Sequence, residues 1–264
     1  MLIEHISVSR KKSYEECPQK YKYRYHLRVP SPGPEPFYFS YGKIIHKIAE
    51  TYVAERAARS LGEVSADVLR GKIEIEPGKV APSIPLDYKK RMPGHMRSIQ
   101  KLTDMVGTDG VLEYKFHYDL DPPNEKFVTG FIDRLIVKGD NVFIIDYKTT
   151  KKGTWRETKE SILYDPQLRC YARVVQKERG IPAKNIKCAL YYLEGGDLLA
   201  ASYTDDSLLR IEKELLNVYN RIESHDPDHV WGKTGQHCAR CDYRVMCPFY
   251  SCADSKVDTW DGTM

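Results

Sequence analysis

Residues 130–149 read GFIDRLIVKGDNVFIIDYKT and contain two apolar, β-branched runs on either side of a Lys-Gly-Asp-Asn tetrapeptide at 138–141. Such runs predict two strands, and the Gly-Asp centre predicts a tight hairpin turn between them. If the turn is centred on residues 139 and 140, paired residue numbers sum to 279, which places Asp133 opposite Asp146. Directly opposed side chains have Cβ atoms about 5 Å apart, so two carboxylates there repel each other. The hairpin therefore predicts a compensating positive charge at this position.

Lys148 and a divalent cation are the two candidates for that charge. Lys148 lies two residues beyond Asp146 and hence on the same face of the strand. Mg²⁺ prefers carboxylate, water and phosphate oxygens, and a bound metal ion activates water and stabilises a departing oxygen. A plain surface ion pair is the alternative, but the apolar neighbours indicate burial, where unpaired carboxylates are costly. The hairpin thus predicts a site for Mg²⁺ or Mn²⁺ and phosphate, with Lys148 orienting water or stabilising charge on phosphorus.

The rest of the chain predicts a mixed α/β core rather than a regular βαβ alternation. Strands are predicted at 111–118, 127–137, 142–149, 186–194 and 197–204, and helices at 41–53, 166–180 and 206–223. Asp165 as N-cap and Pro166 as first residue mark the start of the second helix, and Gly180 marks its end. Residues 30–36 predict a stiff extended link. Residues 61–110 predict a mostly helical insertion, interrupted at Gly71, Pro77-Gly78, Pro82, Pro85 and Pro93-Gly94.

Composition places the chain among soluble globular proteins. The 264 residues include 41 Lys or Arg and 37 Asp or Glu, and 41% are hydrophobic, which excludes a mini-protein, a membrane-spanning protein and wholesale disorder. The first five residues lack the basic and apolar regions of a secretory signal, so we expect a cytoplasmic protein with no membrane partner. Seven cysteines in a reducing compartment argue against a disulfide framework. Cys170 and Cys188 lie in apolar surroundings and are predicted core residues.

A basic and aromatic segment lies near the N-terminus. Seven Lys or Arg residues fall between Arg10 and Arg28, interleaved with four tyrosines at positions 14, 21, 23 and 25. Cations that neutralise phosphates and rings that stack on bases are what a nucleic-acid groove requires. A solvated helix face with its tyrosines packed inward fits the segment equally well. The net charge of +4 permits a polyanionic partner without requiring one.

The hairpin residues GFIDRL and IIDYKT resemble the PD-(D/E)xK nuclease superfamily, and specifically its RecB-like branch. Asp133, Asp146 and Lys148 occupy the three signature positions, although Ile132 replaces the Pro of the literal motif. The resemblance implies that these residues are catalytic and that Asp133, Asp146 and the neighbouring Tyr147 bind a metal ion. It also implies a restriction-endonuclease-like α/β core, with a mixed central sheet, flanking helices and a C-terminal cysteine-rich iron–sulfur region.

Three other motifs support this branch. Residues 167–171 (QLRCY) resemble its Q-h-x-x-Y motif, which implies that Gln167 and Tyr171 contact the DNA backbone near a helix N-terminus, where free amides favour phosphate. Residues 42–46 (GKIIH) resemble an upstream metal-binding motif, which implies that His46 is a ligand rather than a residue at the helix border. Residues 9–25 resemble the N-terminal element of the branch. Glu113 on the first predicted strand is a further candidate for the site.

The cysteines resemble those of an iron–sulfur subgroup that includes the CRISPR-associated RecB-like exonucleases and the AddB nuclease domain. The resemblance implies a 4Fe–4S cluster held by Cys17, Cys238, Cys241 and Cys247. Spacing alone favours a local zinc site formed by the three C-terminal cysteines with Cys252 or His237. The four predicted regions are a basic, aromatic element (1–36), a helical region with the His motif (37–110), the nuclease core (111–224) and a cysteine-rich tail (225–264).

We therefore predict a metal-dependent DNA nuclease that hydrolyses phosphodiester bonds, an exonuclease that prefers single-stranded or free ends. The chain has no P-loop motif, so a helicase or a recombination or CRISPR partner would be a separate chain. A non-cutting DNA-binding or docking subunit of such a complex is the alternative, although such a subunit has no need for all three signature residues. RNA also remains open as a substrate, because no base-reading motif is evident.

Overall fold

The computed structural model describes residues 1–33, 36–151, 153 and 156–250, which form two compact units. The first unit comprises Met1–Pro34 and Asn217–Met264, and the second comprises Glu35–Leu216. No helix within the described ranges has the length and apolar character needed to span a membrane. The α-helices are α1 (Val8–Glu16), α2 (Pro18–Tyr21), α3 (Phe37–Glu55), α4 (Leu61–Leu69), α5 (Leu86–Val106), α6 (Pro166–Arg179) and α7 (Asp205–Ser224).

The second unit is built on a five-stranded mixed sheet. Its strands are β1 (Val111–Asp121), β2 (Lys126–Lys138), β3 (Asn141–Lys148), β4 (Ile186–Tyr192) and β5 (Asp197–Ala201), in the order β1-β2-β3-β4-β5. All neighbours are antiparallel except β3 and β4, which are parallel. A parallel pair needs a crossover, and α6 supplies it between β3 and β4. The predicted mixed α/β core is confirmed, although β4 and β5 end earlier than predicted.

The β2–β3 hairpin has the predicted register. Its paired residues run from Lys138–Asn141 to Arg134–Ile145, so every pair sums to 279. Gly139 has a φ of +57°, which a glycine in a tight turn tolerates without steric cost. The two strands then separate, and the next positions in register are Asp133 and Asp146.

Helix α6 begins and ends as predicted. The Asp165 side chain accepts a hydrogen bond from the Leu168 N–H at 2.8 Å, and Pro166 is the first helical residue. Gly180 closes the helix with a φ of +64°, in the left-handed conformation that favours glycine. The helix packs on the sheet through an apolar side that includes Cys170, which is buried, as predicted. Cys188 on β4 is buried as well.

The 61–110 insertion is mostly helical, but one predicted interruption is wrong. Pro93 and Gly94 lie inside α5, which continues through them to Val106. A proline inside a helix removes one backbone hydrogen bond and costs about 3 kcal/mol in isolation. The buried side chains of Ile99 and Leu102 anchor the following turns in the core, so tertiary packing overrides the local preference. The predicted link at 30–36 lies partly outside the described residues.

In the first unit, the N-terminal tyrosines pack inward. Tyr14 and Tyr21 are buried and meet edge to face at 5.7 Å between ring centroids. The Tyr14 hydroxyl hydrogen-bonds with His225 Nδ1 at 2.9 Å, and Tyr23 is also buried. Rings that are already enclosed cannot stack on bases. Of the two interpretations left open for this segment, the stacking groove is therefore excluded for these three tyrosines, and the packed helix face is the one observed.

Candidate active site

Three side chains with oxygen and nitrogen donors meet on one face of the β1–β2 pair. His46 of α3, Glu113 of β1 and Asp133 of β2 each offer a ligand atom, and these atoms lie within 4.8 Å of one another. His46 Nδ1 lies 3.4 Å from Asp133 Oδ2. Two carboxylates and an imidazole form a donor set that suits a divalent cation such as Mn²⁺ or Mg²⁺. We call these three residues the ligand group.

Glu113 reaches the ligand group through an unusual backbone conformation. It has a φ of +47°, although it lies within a strand and is not a glycine. Its neighbours pair as Leu112–Arg134 and Tyr114–Ile132, so Glu113 lies opposite Asp133 in the register. A non-glycine residue in the left-handed region costs roughly 1 to 3 kcal/mol, and such strain concentrates at functional sites. The β1 backbone is therefore distorted at the residue that adds the second carboxylate.

Asp146 and Lys148 lie beside the ligand group at the end of β3. Lys148 Nζ is 2.6 Å from Asp146 Oδ2 and donates a hydrogen bond to Gln167 Oε1 at 3.1 Å. Asp146 is almost fully buried, whereas the Lys148 side chain is 30% exposed. Buried carboxylates normally carry several hydrogen bonds, and the Lys148 ammonium is the partner of the solvent-shielded Asp146 Oδ2 within the described residues. A carboxylate oxygen has two lone pairs, so Oδ2 retains capacity for a further cation.

Tyr147 links the two parts of the site through its backbone. Its N–H donates a hydrogen bond to Asp133 Oδ2 at 2.7 Å, at the point where β2 and β3 are no longer paired. Its ring meets His46 edge-on, at 6.0 Å between centroids and 86° between planes. Burial raises the pKa of the Tyr147 hydroxyl to about 12, so the phenol is neutral at physiological pH. Tyr147 thus positions Asp133 through its backbone N–H, its phenol carries no charge, and its predicted role in binding the metal ion stays a prediction.

The two predicted motif residues of α6 also lie near Lys148. Gln167 Nε2 donates to the Tyr171 hydroxyl at 2.7 Å, and the Gln167 carbonyl oxygen accepts from Lys148. Tyr171 is buried and meets Phe116 edge to face at 5.9 Å. Because the Asp165 carboxylate already accepts the Leu168 N–H, the amides at this helix N-terminus are less open to phosphate than the sequence suggested. Gln167 and Tyr171 thus form a polar chain that fixes the Lys148 ammonium.

Burial and neighbouring charges shift four pKa values within the site. Burial alone would lower the pKa of His46, but the Asp133 carboxylate raises it to about 9. Burial raises the pKa of Glu113 to about 7, and the charge of Asp133 adds to this effect. Burial also raises the pKa of Asp146 to about 6, against the influence of Lys148. Burial opposes ionisation of Asp133 too, but the His46 charge holds the pKa of Asp133 below its usual value. His46 and Glu113 therefore hold their protons to higher pH than usual, and a metal ion that binds to them would have to displace these protons.

Metal binding is accordingly expected to strengthen steeply with pH. A cation must displace a proton from His46, with a pKa of about 9, and from Glu113, with a pKa of about 7. For each ligand that must lose a proton, the apparent affinity for the metal ion falls about tenfold with every pH unit below the pKa of that ligand. Between about pH 6 and pH 8, His46 contributes about two powers of ten and Glu113 about one, so the Kd for Mn²⁺ should fall about 10³-fold.

Isothermal titration of the metal-free protein with Mn²⁺ across this pH range measures the effect. A His46→Gln variant should bind more weakly, with a pH slope that is smaller by about one proton. An affinity that does not change with pH would contradict the assignment of His46 and Glu113 as ligands.

Two arginines hold the backbone directly after Lys148. Arg91 of α5 donates through Nη2 to the Thr149 carbonyl at 2.8 Å and to Glu194 Oε2 at 2.7 Å. Arg156 donates to the Thr150 carbonyl at 3.2 Å and lies 4.4 Å from the centroid of the Tyr192 ring. Sequence reasoning missed both residues, because a lone arginine far from any motif gives no signal of its partner.

In the first unit, the four predicted cluster cysteines line a common pocket. Cys17, Cys238, Cys241 and Cys247 all carry free thiols, and Cys17 Sγ accepts a hydrogen bond from the Lys233 N–H at 3.4 Å. Burial raises the pKa of the Cys241 thiol, while the nearby Lys20 ammonium opposes this rise. Cys252, the alternative ligand, lies outside the described residues.

Comparison with known proteins identifies the family. A family model for the PD-(D/E)XK nuclease superfamily matches residues 5–248, so the chain belongs to this superfamily of metal-dependent nucleases. A crystal structure of a candidate exonuclease from Eubacterium rectale has a TM-score of 0.51 and 14% identity, covering 91% of this chain and 88% of that chain. The crystal structure of SSO0001 has a TM-score of 0.41 and 11% identity, covering 94% and 88%. No curated protein was found to match the chain.

These findings confirm two of the sequence predictions. The superfamily and the restriction-endonuclease-like mixed α/β fold are both confirmed. At 14% identity, the similarity to the Eubacterium rectale structure bears on the fold alone. The RecB-like branch, the cluster and the roles of the individual site residues stay predictions.

Proposed function

We propose that the protein is a metal-dependent deoxyribonuclease that removes nucleotides from the free ends of single-stranded DNA. One observation carries this proposal: the ligand group of His46, Glu113 and Asp133 lies next to the ion pair of Asp146 and Lys148. The ligand group suits a divalent cation. The ion pair places the positively charged Lys148 ammonium at the same end of the hairpin. The RecB-like motifs and the fold shared with a candidate exonuclease support action at ends.

The residues present fit a divalent metal ion. His46, Glu113 and Asp133 would hold it, and the neighbouring Asp146 carboxylate, which also pairs with Lys148, would add negative charge beside it. When bound, such an ion supplies an activated water molecule and stabilises negative charge on the phosphate. Burial would lower the pKa of Lys148, but Asp146 raises it above its usual value, so the ammonium stays charged. Lys148 therefore acts as an electrostatic donor to the phosphate or its attacking water rather than as a general base.

Gln167 fixes the position of this donor. Its carbonyl oxygen accepts from the Lys148 ammonium, and its amide is held in turn by the Tyr171 hydroxyl. Long lysine side chains lose rotamer freedom when they are ordered, so a site that holds the ammonium beforehand avoids that cost during reaction. We propose that Gln167 and Tyr171 act chiefly in this way.

Replacing Lys148 by Met is expected to lower the cleavage rate about 10² to 10³-fold, as the loss of one preorganised donor does in other enzymes. Methionine keeps most of the buried stem, so the fold should persist. The measurement is the initial rate on end-labelled single-stranded DNA with Mg²⁺ or Mn²⁺, with EDTA as the blank. Lys138→Met, at the exposed turn of the same hairpin, is the matched control and should cleave at the wild-type rate.

The choice of substrates separates the alternatives. A linear single strand should be degraded while a circular one persists, because only the linear form has an end. Wild-type cleavage that Lys148→Met leaves unchanged would contradict the catalytic assignment. Binding of DNA without any turnover in Mn²⁺ would instead identify a non-cutting docking subunit. Faster cleavage of a matched RNA strand would reassign the substrate class.

We also infer that Cys17, Cys238, Cys241 and Cys247 hold a 4Fe–4S cluster. The four thiols share one pocket, and four cysteine thiolates complete such a cluster. Cys17, from the N-terminal element, lines this pocket together with the three C-terminal cysteines, and a zinc site confined to the C-terminal segment would not use it. The shared pocket therefore favours the four-thiolate cluster over local zinc.

A further inference from the structure

The face of the β1–β2 hairpin that carries the ligand group continues beyond it. Even-numbered residues on these strands, such as Phe116, Val128 and Ile132, are buried on one face of the sheet. Alternation along a strand places the odd-numbered residues on the opposite face. Glu113 and Asp133 occupy this second face, and the next odd-numbered pair along the hairpin is Lys115 opposite Phe131.

Phe131 presents its ring to the same opening as the metal ligands. The side chain is 49% exposed and lines an open cleft of about 810 Å³ together with His46 and Glu113. A cleft of that volume accommodates a nucleotide-sized ligand. Isolated exposed apolar residues are common, but this one lies two residues before a ligand of the proposed metal ion. Its position therefore points to contact with the substrate.

The charges around the cleft permit a phosphate chain to enter. Lys115 is exposed, and within the described residues it forms no ion pair. Of the cleft carboxylates outside the ligand group, Glu76 lies 3.3 Å from Lys43, Glu50 lies 2.9 Å from Lys47, and Glu74 accepts a hydrogen bond from the Gly78 N–H at 2.9 Å. Two of these three acidic groups are compensated by a lysine, which reduces their repulsion of a phosphate. Lys115 is then available as a counter-charge beside Phe131.

We propose that Phe131 stacks on a base next to the scissile phosphate and that Lys115 pairs with the adjoining phosphate. A ring that stacks on one face of a base occupies the place that the neighbouring base takes in a stacked strand. A base that meets Phe131 must therefore be unstacked from its neighbour on that side. The hairpin face thus selects single strands and frayed ends, which deepens and rests on the proposed nuclease function.

The test measures binding apart from cleavage. Fluorescence anisotropy of a short labelled single strand in EDTA gives the Kd without turnover, for an intact strand and for one with abasic sites at successive positions. Phe131→Leu keeps the apolar bulk but removes the ring face, and it should raise the Kd of the intact strand on the order of 10-fold. The same variant should leave the Kd of the best-placed abasic strand almost unchanged. Phe131→Trp, which keeps a ring, should bind the intact strand at least as tightly as wild type.

Lys115 has its own readout and control. Lys115→Gln should weaken intact and abasic strands alike and lower the slope of log Kd against log salt by about 0.7, the value for one phosphate contact on a single strand. Lys138→Gln, at the far end of the hairpin, should change neither quantity. Equal losses of both strands in Phe131→Leu, or a Phe131→Trp variant as weak as Phe131→Leu, would overturn the stacking proposal.

Failure of this inference can be told apart from failure of the nuclease assignment. Cleavage by the wild-type protein in Mg²⁺ tests the activity, whereas anisotropy in EDTA tests the hairpin face. If the protein cleaves normally but binds intact and abasic strands equally well, only the stacking role proposed for Phe131 is refuted. A protein that binds as proposed but does not cleave retains a single-strand-binding face without the activity.

Discussion

Replacing Asp133 by Asn is expected to abolish metal-dependent cleavage, lowering the rate by at least about 10³-fold. Asp133 belongs to the ligand group, lies beside His46 and accepts the Tyr147 N–H, so it is the residue shared by most contacts of the site. Asparagine keeps the size and the acceptor for that N–H but loses the charge that attracts a cation. The fold should therefore persist while metal affinity and activity are lost together.

Two measurements check this expectation on the same samples. Mn²⁺ titration reports metal affinity, and the initial rate on end-labelled single-stranded DNA reports activity. Asp140→Asn is the matched control, because Asp140 lies at the exposed turn of the same hairpin. Cleavage by Asp133→Asn within about tenfold of the wild-type rate would remove the residue from the metal site, since a tenfold effect corresponds to only about 1.4 kcal/mol.

Replacing Cys17 by Ser is expected to remove the proposed iron–sulfur cluster and to destabilise the first unit. Cys17 lies more than two hundred positions from Cys238 in the sequence, so joining them closes a long loop at a cost of about 5 kcal/mol. Structural zinc sites supply about 10 to 16 kcal/mol, and a cluster of comparable strength would offset that cost. Without the fourth ligand, this gain should largely disappear.

Iron and labile sulfide content, the visible absorption spectrum and thermal unfolding report this effect after purification without oxygen. Cys17→Ser should lose most of the iron and the absorbance and should melt at a lower temperature. Cys252→Ser is the control and should retain all of them. The opposite pattern, in which Cys252→Ser loses bound zinc and Cys17→Ser keeps it, would establish the local zinc site instead.

The hairpin could be predicted from sequence because local chemistry determines it. Two β-branched runs around a Gly-Asp centre allow one register, and that register places Asp133 and Asp146 at adjoining positions where the strands separate. Helix α6 could be predicted for a similar reason, because Asp165, Pro166 and Gly180 each act within one turn of a helix end. The residues that determine the hairpin turn and the ends of α6 therefore lie within a few positions of the features that they determine.

Other features depend on contacts that no local pattern encodes. Glu113 is a candidate from its place on the first strand, but it joins the site through a left-handed conformation that its sequence neighbours do not indicate. Helix α5 continues through Pro93 because distant core residues pack on it. The same tyrosine and lysine alternation fits a stacking groove or a packed helix face, and only burial in the folded unit separates the two.

The contact of Arg91 with the end of β3 bears on the engineering of smaller nucleases. Residues 61–110 contain no motif, so a designer seeking a minimal version would delete them first. That deletion would remove the core side chains of Ile99 and Leu102 and also Arg91, which is the cation beside Glu194 and the donor that holds the Thr149 carbonyl. A truncated version would then need new apolar side chains to cover the exposed core and a substitute for this guanidinium, because the backbone after Lys148 would otherwise lose the contact that Arg91 makes.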